Sequence, residues 1–292
     1  QWSENLFVTY LIDEYGGVLS GQRLCEPKVN QGYLDYCYRQ QAWRESSAYQ
    51  DSLSFWQEHL SGLKGLAHLP SDREAQVSSD GGFESIEKKL DVGCIKSIES
   101  TCLRLKVSQF SLLLSAFCLL LERYTHQQDI AFTMPLSGRM SPETQSLLGL
   151  FVNLVIFRQQ VNPAQAVDEY LCEVQANLLN MLEQQQTPFT EQLSRLNRIN
   201  VRQLQEGSIN FNFWQYETRL KDHVAELTEE LGIKDINFLN ADDFTNPGDV
   251  TQVTSRGDKL EDLAFYIEHD KNAITLRLSF SLKKYSRSYM QS

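Results

Sequence analysis

Residues 134–158 read MPLSGRMSPETQSLLGLFVNLVIFR. The first half holds a proline, a tight Ser137-Gly138-Arg139 turn and a polar loop. The second half, Leu150 to Phe157, is the most apolar run of strand character in the chain, built from β-branched and aromatic residues that fit a pleated surface. One amide, Asn153, lies inside it. A buried amide left without partners costs about 1–3 kcal/mol. Asn153 is therefore either satisfied by neighbouring backbone or aimed into a cavity, and both readings stand on these residues alone.

Outward from this stretch, helical and strand patterns interleave. Upstream, Asp129 to Met134 reads as a short strand. Before it, Ser108 is placed to cap FSLLLSAFCLLLERY, which is apolar nearly all round and so predicts a buried helix. Asp91 caps a helix with Ile95, Ile98, Cys102 and Leu105 in line, and Phe83 to Leu90 reads as a strand. The segment LPSDREAQVSSDGG, rich in Pro, Ser, Gly and charge, is a linker. Nearer the start, three helices are expected. Trp2 to Tyr15 is capped by Ser3 and stopped at Gly16-Gly17; Tyr33 to Trp43 follows; the third is capped by Asp51 and ends at Gly62.

Downstream, Asn162-Pro163 predicts a helix start with Pro at its first position, and Val167, Tyr170, Leu171, Val174, Leu178 and Leu182 follow at helical spacing. INFNFWQY, from Ile209, alternates like a strand. An acidic, irregular segment from Glu217 to Lys259 follows, then a hairpin in which Leu263, Phe265 and Ile267 alternate, and Ile274, Leu276, Leu278 and Phe280 alternate again. The fold class is α/β, a mixed sheet flanked by helices with an antiparallel tail.

The 292 residues suit one large domain or two moderate ones, with 41% hydrophobic and 22% charged residues. A net charge of −11 would repel phosphate backbones, so nucleic acid is not an expected partner. Six cysteines are scattered without a C-x-x-C pair, which fits a reducing, cytoplasmic setting. The longest apolar run, Phe110 to Leu121, falls short of the roughly 20 residues a bilayer span needs, so no membrane partner is expected. The five histidines are far apart and predict no metal site. No phosphate loop, nucleophile elbow or zinc-protease motif is present, and no nucleophile–base pair assembles from these residues. Gly81-Gly82 reads as a turn. His126 reads as a helix C-terminal His, His59 as a structural residue, and Asp242-Asp243 as a solvated loop.

Several segments together resemble the condensation domain of nonribosomal peptide synthetases. Tyr33-Leu34-Asp35-Tyr36 with Trp43 is similar to the family's Tyr-x-Asp-Tyr-x-x-Trp segment. Phe55-Trp56 through Leu60-Ser61-Gly62, then Leu69-Pro70-Ser71-Asp72-Arg73, resembles its YW…LxG…LPTDRPR run. Pro135 to Arg139 resembles TPVSGR, Leu148 to Arg158 resembles IGFFVNTLVLR, and Gln184 to Leu193 resembles HQDLPFEQLV. Phe110 to Asp129 resembles the family's long core helix ending in RYTGQDD, and the order is the family's over essentially the whole chain.

The resemblance implies a chloramphenicol-acetyltransferase-like fold. Residues 1–66 would finish the N-lobe, 67–82 would be a linker, and 83–292 would form the C-lobe. A floor loop is expected near 137–149 and a latch near 236–257. The family's catalytic His-His-x-x-x-Asp-Gly motif is expected upstream of Gln1-Trp2-Ser3, so no catalytic residue is assigned in this chain, and the chain alone is expected to be inactive. Gln1 stands at the motif's Gly, and Leu154 where the family often has Thr. The family joins a carrier-bound acyl or peptidyl thioester to a carrier-bound amine. Implied partners are carrier protein domains, neighbouring synthetase domains and the rest of the N-lobe. No cofactor binds directly; substrates arrive on phosphopantetheine.

By resemblance, Asn153 faces the substrate tunnel, Trp214 and Gln215 lie on a tunnel wall, and Arg139 braces the floor or touches substrate. Two alternatives are a non-catalytic platform that recruits a carrier protein or another enzyme, and an epimerisation domain, whose FNYLGQ strand INFNFWQY faintly matches. LFVNLVIFR and LPSDRE argue against epimerisation, and heterocyclisation signatures are absent.

Overall fold

The computed structural model describes residues 2–21, 32–72, 82–194, 208–215, 261–270 and 273–291. Among them run α1 (Trp2–Leu19), α2 (Gly32–Arg44), α3 (Ser47–His59), β1 (Phe83–Lys89), α4 (Val92–Leu105), α5 (Gln109–Thr125), β2 (Asp129–Leu136), α6 (Pro142–Gln145), β3 (Asn153–Gln160), α7 (Val167–Glu183), α8 (Phe189–Ser194), β4 (Ser208–Gln215), β5 (Glu261–Asp270), β6 (Ala273–Ser281) and α9 (Arg287–Gln291). The six strands form one mixed sheet in the order β1-β6-β5-β4-β2-β3. β4 runs parallel to both β2 and β5, and the outer pairs are antiparallel. The latch region, Asp242-Asp243, Gly81 and most of the expected linker lie outside the described residues.

The caps show why these helices start where they do. Asp91 accepts from the Cys94 N–H at 2.8 Å and Ser108 from the Ser111 N–H at 3.0 Å, as their positions predict. His126 closes α5 in the left-handed conformation, at φ 55°. The strand read from Leu150 to Phe157 runs instead from Asn153 to Gln160, with Leu150 and Val152 exposed before it, and three helices also differ from the sequence expectation. α1 runs through Gly16-Gly17 to Leu19, and Ser3 lies inside it with its hydroxyl turned to the Gly149 carbonyl. α3 is capped by Ser46 rather than Asp51, because Ser46 reaches the Tyr49 N–H first and Asp51 falls mid-helix. α7 begins at Val167, not at Pro163: the Asn162 side chain accepts from the Ala164 N–H at 3.0 Å and holds that segment as a turn.

Two compact units emerge. The smaller includes described residues 2–21, 32–35 and 142–150. Within it, α1 and the Tyr33 ring hold the loop after β2 by its backbone. Trp2 Nε1 donates to Gln145 O at 2.9 Å, Tyr10 Oη to Ser146 O at 3.0 Å, and Tyr33 Oη to Leu150 O at 3.0 Å. Gly149 is needed there, since a Cβ would collide with the Tyr33 ring.

The larger unit contains the sheet. α4, α5 and α7 pack against one another over one sheet face. Phe117 of α5 lies 5.2 Å from Phe132 and 5.0 Å from Phe211, giving an aromatic seam across β2 and β4. No single helix among the described residues is long and apolar enough to cross a membrane; α4 and α5 pass that test only as a pair bent by 106°.

Candidate functional site

Strand alternation gives the sheet two unlike faces. On β4, Ile209, Phe211 and Phe213 belong to the helix side, where Phe110 and Phe117 meet the two phenylalanine rings. Asn210 and Asn212 therefore lie on the opposite face, yet they are only 3% and 7% exposed. Register extends this polar row across the sheet: Asn212 pairs with Tyr266, Tyr266 with Arg277, and Arg277 with Glu87. Thr133 of β2 pairs with Asn210 on the other side.

Several of the buried polar groups on this face are linked in sequence, while Arg277 Nε is buried without a hydrogen-bond partner among the described residues. Asn212 Nδ2 donates to Asn210 Oδ1. Asn210 Nδ2 donates to Thr133 Oγ1 at 3.4 Å, and Thr133 Oγ1 to the Ile209 carbonyl at 3.2 Å. Arg277, with an 8% exposed side chain, pairs with Glu268 at 2.9 Å and lies over the Tyr266 ring at 4.7 Å. Burying a guanidinium is costly unless a carboxylate accompanies it; the ring face adds a second favourable contact. The arrangement offers a fixed acceptor and one aromatic ring on a largely buried face, suited to orienting an uncharged polar ligand.

The residues singled out from the sequence are not all on this face. Asn153 shares its side of β3 with Val155 and Phe157, both fully buried beneath the helices. Its Nδ2 donates to Gln185 O at 2.8 Å and Thr187 O at 2.7 Å, and its Oδ1 accepts from the Phe189 N–H at 3.2 Å. Both amide N–H groups are thus committed to the loop between α7 and α8. Of the two readings left open by the sequence, the geometry is that of an amide satisfied by neighbouring backbone.

Gln192 completes the clamp. Its Oε1 accepts from Ile156 N at 3.2 Å, and its Nε2 donates to Leu154 O at 3.2 Å and Thr187 O at 2.9 Å, so one side chain pairs with the free edge of β3 as a strand would.

Arg139 is buried, with its guanidinium 4.2 Å from the centre of the Phe151 ring. Burial lowers its pKa, partly offset by Tyr36. Gly138 brings the chain against Phe151: it takes φ 66°, and a Cβ there would collide with the Phe151 carbonyl oxygen. For Trp214 and Gln215 the backbone register is fixed, opposite Glu268 and His269.

On β3, Arg158 shares the polar side with Leu154 and Ile156. It makes a bidentate pair with Asp129, both bonds at 2.8 Å, and donates to the His59 and Ser61 carbonyls at the end of α3. His59 stacks on Phe55 beneath this arginine. Burial, reinforced by the Arg158 charge, pushes its pKa from 6.5 to about 4. On the helix side, burial pushes the Cys118 thiol up to about 12 and raises the Tyr170 hydroxyl. Among the described residues, no group of three or more His, Cys, Asp or Glu could hold a metal ion.

Sequence reasoning took INFNFWQY for a strand but passed over Asn210 and Asn212. The available signal was two amides alternating with Ile209, Phe211 and Phe213 in a strand too apolar to lie on the surface. Tyr266 and Arg277 carried no comparable mark.

A family model described as a condensation domain matches residues 1–292. Tyrocidine synthase 2 of Brevibacillus parabrevis is 26% identical over 196 residues, covering 66% of this chain and 5% of that protein. The chain is therefore a small fraction of the length of such relatives. The fold is similar to VibH, an NRPS condensation enzyme, with TM-score 0.66 and 17% identity, covering all of this chain and 62% of VibH. It is also similar to the epimerization domain from the third module of tyrocidine synthetase B, with TM-score 0.69 and 16% identity, covering 99% of this chain and 62% of that one. At these identities the structural likenesses show the fold.

Proposed function

We propose, on the premise that the chain belongs to the condensation-domain family, that it works within a nonribosomal peptide synthetase to form an amide between two carrier-bound substrates. In that reaction the amine nitrogen of one substrate attacks the thioester carbonyl of the other. The C–N bond forms, the C–S bond breaks, the pantetheine thiol leaves, and the amine gives up a proton. The protein's task is to hold the two reacting groups together and to orient the amine. Carrier protein domains and neighbouring synthetase domains are the partners in this reading. The observation that carries it is the family match along the whole chain.

The fold does not separate this reading from epimerisation, because the epimerization domain superposes as well as the condensation enzyme does. Chemistry separates them. The intact protein that carries this chain, supplied with two loaded carrier domains, is expected to yield a new amide by mass spectrometry of the released thioester. It is expected not to exchange the α-hydrogen of a single loaded aminoacyl carrier for deuterium. Exchange without amide would establish the epimerisation reading. Carrier binding with neither product would establish a recruitment platform.

A further inference from the structure

Four amide side chains are buried among the described residues: Gln159, Gln192, Asn210 and Asn212. Three of them are engaged at both ends. Gln159 donates to Glu173 and accepts from Asn177. Gln192 accepts from Ile156 and donates to Leu154. Asn210 accepts from Asn212 and donates to Thr133. Asn212 is different. Its Nδ2 is held by Asn210, but its Oδ1 takes no partner among the described residues, and it is not one of the sealed-in polar atoms.

An oxygen that is not sealed in keeps water as its partner, and a ligand donor can take that water's place. The bonds that fix Asn212 run inward, from Asn210 through Thr133 to the Ile209 carbonyl, so the amide plane is set by the protein and the oxygen is left presented. Tyr266 lies beside it at the paired position of β5, and Arg277 stands over that ring at 4.7 Å. An acceptor held in this way, beside a ring fixed by a cation, matches a neutral donor with an apolar flank.

We infer that Asn212 is a substrate-contact residue, whose Oδ1 accepts from a secondary amide N–H of the carrier-bound substrate, with Asn210 and Thr133 as positioning residues behind it. This rests on the condensation reading for the identity of the ligand. A secondary amide is present both in the pantetheine arm and in a peptidyl acyl group, and two probes separate the sources. One is an S-propyl pantetheine thioether, which carries only the amides of the arm. The other is N-acetyl-alanine methyl thioester, which carries only an acyl-group amide.

The test measures binding of each probe by calorimetry to the chain and to Asn212→Leu, together with the rate of amide formation in the intact protein. The expected result is that at least one probe binds the wild type and binds Asn212→Leu about tenfold more weakly, the size of one lost hydrogen bond. Asn210→Leu is expected to weaken the same probe by a smaller factor, since it frees the carboxamide without removing it. Each substitution removes a buried hydrogen bond of this pair, so thermal midpoints of folded variants are expected to fall by a few degrees, and binding is compared well below the lower midpoint. Should Asn212→Leu fail to fold, Asn212→Ala takes its place.

Equal binding of both probes to wild type and variant overturns the inference, even where amide formation is intact. Binding of neither probe to the wild type overturns it too, unless Asn212→Leu slows amide formation about tenfold in kcat/KM. If the intact protein makes no amide at all, the condensation reading fails. The inference about Asn212 is then upheld by a probe that binds wild type and not the variant, and lost otherwise.

Discussion

On one face of the sheet, Phe117, Phe132 and Phe211 are shut away from water against each other's rings, 5.2 Å and 5.0 Å apart about Phe117. On the other, Asn210, Asn212 and Arg277 are shut away almost as fully, but against hydrogen-bond and charge partners. The same six strands supply both faces, so neither backbone nor burial distinguishes them. What differs is the kind of energy involved. Apolar contact on the helix side stabilises in proportion to buried area and tolerates small shifts. A polar network gives little net stability, but it fixes each group's direction, because a misaligned member becomes an unsatisfied buried group. One face holds the domain together, and the other is suited to orient a ligand.

The most direct way to break this division is Phe132→Ala. Phe132 is fully buried and touches the rings of Phe117, Phe157 and Phe211. Its truncation should cost about 3–5 kcal/mol, read as a drop in the urea midpoint with the m-value unchanged. A loss under about 1 kcal/mol would mean that the aromatic seam is not the main source of stability.

Asn153→Ala comes next and sharpens the boundary between the faces. The substitution leaves Gln185 O, Thr187 O and Phe189 N without the partner they have now. The expected loss is about 2–3 kcal/mol, or roughly 5 °C or more in thermal midpoint for a domain of this size. An Asn153 that served substrate instead would leave stability nearly untouched and slow amide formation. Thermal melting of the variant decides between these.

How much of this was legible in the sequence follows the same division. The caps at Asp91 and Ser108 and the alternation of the closing hairpin are local patterns and form where they are read, whereas the strand read from Leu150 begins only at Asn153. The misplaced starts of α3 and α7 have local causes too, since Ser46 and Asn162 offered side-chain oxygens that competed with the expected signals. Fold class was secured by motif order along the chain. The site was harder to read. Asn153 stood out because an amide in FVNLVIF is conspicuous, but which backbone groups it meets is set by a loop about thirty residues away in sequence. Asn210 and Asn212 were equally conspicuous once INFNFWQY is taken as a buried strand. Tyr266, Glu268 and Arg277 join them only through β4–β5 and β5–β6 register, which no spacing rule along one chain reveals.

The smallest expected effect tests the polar side where α3 meets β3. His59 is held neutral there by burial and by Arg158, its pKa lowered from 6.5 to about 4. As the pH falls, the unfolded chain takes up a proton on His59 near 6.5, while the folded chain does so only near 4. Between those values the unfolded state binds more protons, so stability is full above about 6.5, falls through the window, and levels off below the folded pKa. From about pH 7 to about pH 5, the loss from this one group should be about 2 kcal/mol. His59→Gln removes the titrating ring, so its urea midpoint should fall less than that of wild type over the same range. The comparison of variant with wild type isolates His59 from carboxylates that titrate in both. Parallel pH dependence in the two proteins would show that His59 is reached by water, and that the polar face is open at its β3 end rather than sealed by α3.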